Sequence, residues 1–184
     1  VIRARARRAM LVLVVLAVGV AATALSAALS FGPMHAWAWF ELPVQVGLGL
    51  ALAQPKRPVL VVTGDGEQLM GIGSLLTIAT KQPGNLSIAV LDNGHFGETG
   101  MQPSHSGLGA KLEVIASGAG IGNVSDIADM AGIENFRNSL RDLGGGPRLA
   151  RIRIASGEVE RALPPRDGTY LKTRFRGHLG FVVK

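Results

Sequence analysis

The sequence predicts an α/β domain with an open, mainly parallel sheet and helices on both faces. Three observations lead to this fold class. Two short, mostly apolar runs, Val59 to Thr63 and Leu86 to Leu91, are typical of buried parallel strands. Stretches with helical spacing alternate with these runs, and the turns between them are short. The 25 glycines and 47% hydrophobic residues in a chain of 184 are consistent with one close-packed domain.

Each element follows from its local pattern. Strands are predicted where apolar runs lie between turn residues, at residues 59–63, 86–91 and 149–154. The last of these alternates as LARIRI, which is typical of an edge strand. Helices are predicted from periodicity at residues 44–53, 68–80, 110–119 and part of 126–143, where Gly132 interrupts the pattern. Residues 94–109 hold five glycines and predict a loop.

The two ends of the chain are less regular. We divide it into residues 1–40, residues 41–160 as the main domain, and residues 161–184 as a basic tail with no predicted fold. Four arginines precede a run from Ala9 through Phe40 that has no Lys, Arg, Asp or Glu, which is typical of an export signal or membrane anchor. The alternative is a buried strand from Leu11 to Val18 that continues through Gly19 into an Ala-rich helix.

Composition excludes several functions. The net charge of +6 suits an anionic partner, but only 5% of residues are aromatic, and we find no nucleic-acid-binding signature that interleaves them with Lys and Arg. We therefore expect no nucleic-acid partner. The absence of cysteine excludes disulfides, thiolate nucleophiles and thiolate metal ligands. Any metal would be held by oxygen or imidazole.

Two loops leave the carboxyl ends of the best-defined strands, where parallel sheets bind ligands. Their sequences are Gly64-Asp65-Gly66-Glu67 and Asp92-Asn93-Gly94-His95. Glycines beside Asp65 allow a sharp turn and close approach of a phosphate to the backbone. A carboxylate, an amide oxygen and a backbone carbonyl are hard ligands suited to magnesium that bridges a diphosphate. We place Asp65 and Asn93 on exposed loops, outside the core.

The GDG sequence at residues 64–66, followed after the intervening stretch by Asp92-Asn93, resembles the motif of thiamine-diphosphate enzymes. The flanking residues resemble the diphosphate-binding domain of the sulfopyruvate and phosphonopyruvate decarboxylase group. The resemblance implies the thiamine-diphosphate-binding fold, with Mg²⁺ held by Asp65, the Asn93 side chain and the His95 backbone carbonyl. It also implies a set of cofactor-binding residues, namely Gly64, Gly66, Glu67, Gly94, Phe96, Gly97 and Phe40. Glu67 departs from the small hydroxyl residue common in the family.

The resemblance implies an enzyme that decarboxylates a small 2-oxo acid. Residues 98–105 correspond to a loop near the reacting carbon, in which His105 and Glu98 are the catalytic candidates and His105 relays a proton near neutral pH. The family also needs a pyrimidine-binding domain, for which we find no room in this sequence. We therefore expect an α-like partner subunit, a hetero-oligomer, and no activity from this chain alone.

Other interpretations remain open. The chain is alternatively a fragment of an acetolactate-synthase-like carboligase, or a non-catalytic cofactor-binding or membrane-anchored relic. The resemblance favours a divergent first strand and helix over a targeting segment in residues 1–40. We accordingly expect a cytoplasmic protein without a membrane partner, and the alternative is anchoring or export through residues 1–30.

Overall fold

The structure, a computed structural model, describes residues 11–14, 42–97, 99–157, 165 and 167–181. Five strands form one sheet in which all four pairings are parallel. Their ranges are β1 (Leu11–Val14), β2 (Val59–Gly64), β3 (Leu86–Asp92), β6 (Asn123–Ile127) and β7 (Arg148–Arg153). Their order across the sheet is β1-β2-β3-β7-β6. A small antiparallel hairpin of β4 (His95–Phe96) and β5 (Gln102–Pro103) lies in the loop after β3.

Six helices accompany the strands among the described residues. Their ranges are α1 (Leu42–Ala53), α2 (Asp65–Met70), α3 (Ser74–Lys81), α4 (Leu112–Gly118), α5 (Met130–Ser139) and α6 (Gly168–His178). On one face of the sheet, residues of α1, α3 and α4 pack against Val61, Ile88 and Leu149. On the other face, Ile133 and Phe136 of α5 pack against Ala150 and Ile152. The predicted fold class, a parallel sheet with helices on both faces, is confirmed.

Strand β7 was predicted at the edge of the sheet, and this prediction was wrong. It lies between β3 and β6, with a partner on each side. Its arginines suggested exposure, but Arg151 is only partly exposed and forms ion pairs with Asp92 and Glu113. Paired arginines therefore fit an interior strand, whereas unpaired ones would favour an edge. In the described part of the sheet, the edge beyond β7 is β6, a strand that the sequence did not reveal.

Three helix predictions also needed correction. The single helix predicted for residues 68–80 is two helices, α2 and α3, joined by a turn at residues 71–73. Gly132 does not interrupt α5, because its N–H donates to the Asp129 side chain that caps this helix. The basic tail, for which we predicted no regular structure, contains α6, capped by Asp167. Capping side chains stabilise helix starts that periodicity alone does not reveal.

The N-terminal strand pairs in parallel with β2, Leu11 opposite Val59. This agrees with the predicted parallel strand for residues 11–14, and the rest of that strand and the helix after it lie outside the described residues. Within the part of the chain that the structure describes, no helix is both long and apolar enough to span a bilayer.

Candidate functional site

The two glycine-containing loops lie side by side at the carboxyl edge of the sheet. β2 ends at Gly64, and α2 begins at the next residue, Asp65. β3 ends at Asp92, and Asn93 follows it. Gly64 is opposite Leu91 in the register of the two strands, so the chain leaves both at the same level. Ligands of open parallel sheets bind at this edge.

Asp65 is buried, with only 2% of its surface exposed. The expectation that it lies on an exposed loop was therefore wrong. Two buried serines from the loop after β5 cover it: Ser104 Oγ donates to Asp65 Oδ2, and Ser106 Oγ lies 2.9 Å from the same oxygen. Both hydroxyls engage one carboxylate oxygen and leave the other, Oδ1, to other partners.

The same serines connect Asp65 to a second buried carboxylate. Ser106 Oγ lies 2.7 Å from Asp92 Oδ1, which also accepts the Gly94 N–H at 2.9 Å. The other oxygen of Asp92 accepts from Arg151 Nε at 2.5 Å. Arg151 in turn donates to Glu113 of α4 at 3.2 Å. We call these side chains, Asp65, Ser104, Ser106, Asp92, Arg151 and Glu113, the serine–carboxylate network.

Asn93 forms a tight local turn with His95. Its side-chain Oδ1 accepts the His95 N–H at 2.9 Å. Its backbone carbonyl lies 2.8 Å from His95 Nδ1, and because a carbonyl can only accept, Nδ1 carries the proton. Across the hairpin, His95 is opposite Pro103, which has no N–H to donate to the His95 carbonyl. The carbonyl of His95 is thus not used by its strand partner.

Gly66 has a packing role that the sequence did not indicate. A Cβ at this position would lie 2.5 Å from Phe96 Cδ1, so the ring sits directly against the glycine. His105 packs edge-on against the same ring, with centroids 6.4 Å apart and an angle of 88° between the planes. Hairpin β4–β5 therefore docks on α2 through Phe96.

Gly94 and Gly107 bring the start and end of the hairpin loop together. A Cβ on Gly107 would lie 2.2 Å from the Gly94 carbonyl oxygen, and Gly94 has a φ of +71°. The same carbonyl accepts the Ser104 N–H at 2.8 Å. This backbone contact sets where Ser104 and Ser106 lie relative to Asp65.

Glu67, the residue that departs from the family pattern, turns back toward the end of β2. Its carboxylate accepts from Thr63 Oγ1. Burial raises the pKa of Glu67 above its usual value, and the hydrogen bonds from Thr63 and the Gly64 backbone counteract part of that rise. Its side chain is therefore engaged by its own neighbours.

The remaining predicted residues are distributed differently. Phe40 and Glu98 lie outside the described residues. His105 is exposed and touches Phe96 but is not part of the serine–carboxylate network. Among the described residues, no three His, Asp or Glu side chains form a group able to hold a metal. Any metal here would need amide or backbone oxygens beside Asp65.

Most of the serine–carboxylate network was not evident from the sequence. Ser104 was expected in a substrate loop, and no role was predicted for Ser106, Asp92 or Arg151. The two serines gave little local signal, because they converge on Asp65 through the turn at residues 105–109. Arg151, which lies between apolar residues of its strand, was the available signal, because a buried arginine needs a carboxylate nearby.

The chain matches the family described as "Thiamine pyrophosphate enzyme, C-terminal TPP binding domain" over residues 22–145. It is 38% identical over 84 residues to the sulfopyruvate decarboxylase subunit beta of Methanocaldococcus jannaschii, which covers 46% of this chain and 45% of that one. It is 37% identical over 104 residues to the phosphonopyruvate decarboxylase of Streptomyces viridochromogenes, which covers 56% of this chain and 26% of that one. The aligned stretches thus span half or less of these two relatives.

Among solved structures, the fold resembles the 2-oxoglutarate:ferredoxin oxidoreductase from Magnetococcus marinus, with a TM-score of 0.53. The superposition covers 78% of this chain and 69% of that one at 16% identity. At this identity the similarity concerns the fold alone.

Proposed function

Because the chain belongs to the thiamine pyrophosphate enzyme family, as its C-terminal TPP-binding domain, we propose that it holds the diphosphate of thiamine diphosphate (TPP) through Mg²⁺. We further propose that it forms one half of the active site of a 2-oxo acid decarboxylase. The observation that carries the proposal is the pairing of the Gly64-Asp65 and Asp92-Asn93 loops at one edge of the sheet.

The donor chemistry of these loops fits magnesium. Asp65 offers a carboxylate oxygen, Asn93 an amide oxygen and His95 a backbone carbonyl, and Mg²⁺ prefers hard oxygen ligands of this kind. Both serine hydroxyls take Asp65 Oδ2, which leaves Oδ1 for the ion. Asn93 Oδ1 accepts one hydrogen bond and has a second lone pair.

The surroundings of Gly64 also support the proposal that a diphosphate binds beside the first loop. A Cβ built on Gly64 meets no atom within 4 Å among the described residues, so the side of this turn is open. Phe96 lies against Gly66, so an apolar ring borders this loop. Because Gly66 has no side chain, it leaves room for the Phe96 ring.

The bound cofactor supplies the carbon nucleophile and the electron sink that decarboxylation of a 2-oxo acid requires. In this proposal the chain itself binds and orients. Asp65, Asn93 and His95 hold the ion, and the backbone of residues 64–67 and 94–97 lines the phosphates. His105, placed against Phe96 at the end of the loop, accepts or returns a proton through its imidazole.

The relatives support a substrate class and a partner. Their names specify sulfopyruvate and phosphonopyruvate as substrates. We therefore propose a small 2-oxo acid with an anionic head group as the substrate. One relative is a "subunit beta", which supports the proposal that a second polypeptide completes the site with a pyrimidine-binding domain in a hetero-oligomer.

Calorimetry tests cofactor binding. The full chain is titrated with thiamine diphosphate with and without Mg²⁺, beside Asp65→Asn, Asn93→Ala and the control Asn135→Ala, which alters an exposed residue of α5. Asparagine at position 65 keeps the side-chain shape, so the fold is retained. We expect Mg²⁺-dependent binding in the wild type and control and its loss in both site variants. Equal affinities in all four proteins, or no binding by the wild type, would refute the proposal.

The partner proposal has its own assay. Release of CO₂ from 2-oxo acids is measured for the chain alone and after mixing with a pyrimidine-domain chain of the same group. We expect turnover only in the mixture. Full turnover by the isolated chain would contradict the half-site argument.

A further inference from the structure

We propose that Ser106, anchored by Asp92 and Arg151, is a positioning residue that fixes the Asp65 carboxylate for metal binding. This inference rests on the proposed function, because it concerns how the proposed magnesium ligand is held. It adds Ser106 and Arg151, which the motif does not contain, and gives Asp92 a role within the site.

Two serine hydroxyls orient the carboxylate of Asp65. A carboxylate with free rotation about χ2 presents either oxygen to an ion. Here the hydroxyls of Ser104 and Ser106 both engage Oδ2, and all three residues are buried. Rotation of the carboxylate out of its present plane would break both contacts, so the hydroxyls fix the direction in which the remaining oxygen points.

Ser106 is itself anchored by Asp92 and Arg151. Its Oγ is 2.7 Å from Asp92 Oδ1, and Asp92 is tied to Arg151 through its other oxygen. Asp92 ends β3, and Arg151 lies in β7, its neighbour in the interior of the sheet. Side chains on interior strands are held more rigidly than those on loops. The interior of the sheet therefore holds Ser106 in position through Asp92 and Arg151.

The hydroxyl of Ser106 has more oxygen neighbours than it has hydrogens to donate. Its hydroxyl carries one hydrogen but lies near three oxygens, those of Ser104 at 2.9 Å, Asp65 at 2.9 Å and Asp92 at 2.7 Å. Alanine at this position would leave the two carboxylates facing each other without the donor between them. Such an arrangement favours movement of Asp65 away from Asp92. Threonine would keep the donor.

The matched control is Ser74→Ala. Ser74 and Ser106 are each 7% exposed, and the hydroxyl of Ser74 also makes a buried hydrogen bond, to Gly71 O at 2.7 Å. It lies at the start of α3 and does not belong to the serine–carboxylate network. Both alanine variants therefore lose a buried hydroxyl, but only Ser106→Ala loses contact with Asp65.

The experiment is a titration of the full chain with Mn²⁺ in the presence of thiamine diphosphate, followed by electron paramagnetic resonance. Wild type, Ser106→Ala, Ser106→Thr and Ser74→Ala are compared, with thermal melts of each. Removal of a residue that orients a metal ligand lowers metal affinity by about 10–100-fold. We expect this loss and an altered spectrum of bound Mn²⁺ in Ser106→Ala, recovery in Ser106→Thr, and wild-type binding in Ser74→Ala.

The outcomes separate the two proposals. If the wild type binds no Mn²⁺ with thiamine diphosphate, the proposed function fails, and the inference fails with it. If the wild type binds and Ser106→Ala matches it in affinity and spectrum, only the positioning role is refuted. Equal losses in Ser106→Ala and Ser74→Ala would likewise refute it, because general destabilisation would then explain both. Absence of recovery in Ser106→Thr would show that the hydroxyl is not the decisive group.

Discussion

The contact between Gly107 and Gly94 predicts that a side chain at position 107 destabilises the fold, and the structure gives the size of this effect. In Gly107→Ala the new Cβ would lie 2.2 Å from the Gly94 carbonyl oxygen and 3.2 Å from Gly94 Cα. Both are backbone atoms, so no change of rotamer relieves the clash. To reach a distance of about 3 Å, the two segments must separate by roughly 0.8 Å, and overpacking of this kind costs about 1–3 kcal/mol.

This separation also affects the site. The Ser106–Asp65 distance is 2.9 Å, and an increase of about 0.8 Å takes it beyond hydrogen-bond range. We expect Gly107→Ala to weaken Mn²⁺–thiamine diphosphate binding by about 10–100-fold. Its melting temperature should fall by roughly 2–12 °C, since about 1 kcal/mol corresponds to 2–4 °C in a chain of this size.

Gly49→Ala is the control for the glycine substitution itself. Gly49 lies in α1 and is exposed, and no atom of the described residues lies within 4 Å of an added Cβ. Alanine there should stabilise the helix by about 0.5–1 kcal/mol. Thermal melts and the Mn²⁺ titration measure both effects. A Gly107→Ala protein that melts and binds like the wild type would refute the view that this contact sets the loop.

Further predictions concern stability. Arg151→Met should destabilise the fold by about 3–5 kcal/mol in urea unfolding because it leaves Asp92 buried without its cationic partner. Arg153→Met, at an exposed pair with Asp126, should cost far less; equal losses would contradict this ranking. The hydrogen bond from Arg153 lowers the pKa of Asp126 below its usual 3.8. The pair therefore contributes to the free energy of unfolding above the unfolded-state pKa of Asp126, and this contribution is lost as pH falls through the folded-state pKa. A stability difference between wild type and Arg153→Met that persists in stronger acid would exclude this linkage. Gly66→Ala should displace the Phe96 ring, and a double-mutant cycle with Phe96→Ala should give a coupling of about 0.5–3 kcal/mol; additive losses would mean that the two residues do not touch.

The sequence predicted the parts of the fold that depend on local pattern. Apolar runs located β2 and β3 correctly, since buried parallel strands need apolar residues on both faces. It also located β7 but placed it at the edge of the sheet, because ion pairs across distant segments decide where an arginine-bearing strand can lie. It also missed β6, whose sequence NVSDI has no continuous apolar run.

The site shows the same division. The positions of Asp65 and Asn93 at the ends of neighbouring strands followed from strand order. The burial of Asp65 did not, because it depends on Ser104 and Ser106, about forty residues away in sequence. The role of Gly66 as a seat for Phe96 likewise depends on how the hairpin folds back. Contacts of this range are set by tertiary packing and leave little local signal.

The pairing of Asp92 with Arg151 has a consequence for biosynthesis. The two residues are 59 positions apart, and domains are made from the N-terminus onward at about 5–20 residues per second. A nascent chain that has emerged as far as residue 110 already contains Asp65, Asn93 and both serines, yet it lacks the arginine that neutralises Asp92. The edge proposed to bind the metal therefore matures only after β7 has emerged and inserted between β3 and β6, several seconds after its own loops have emerged.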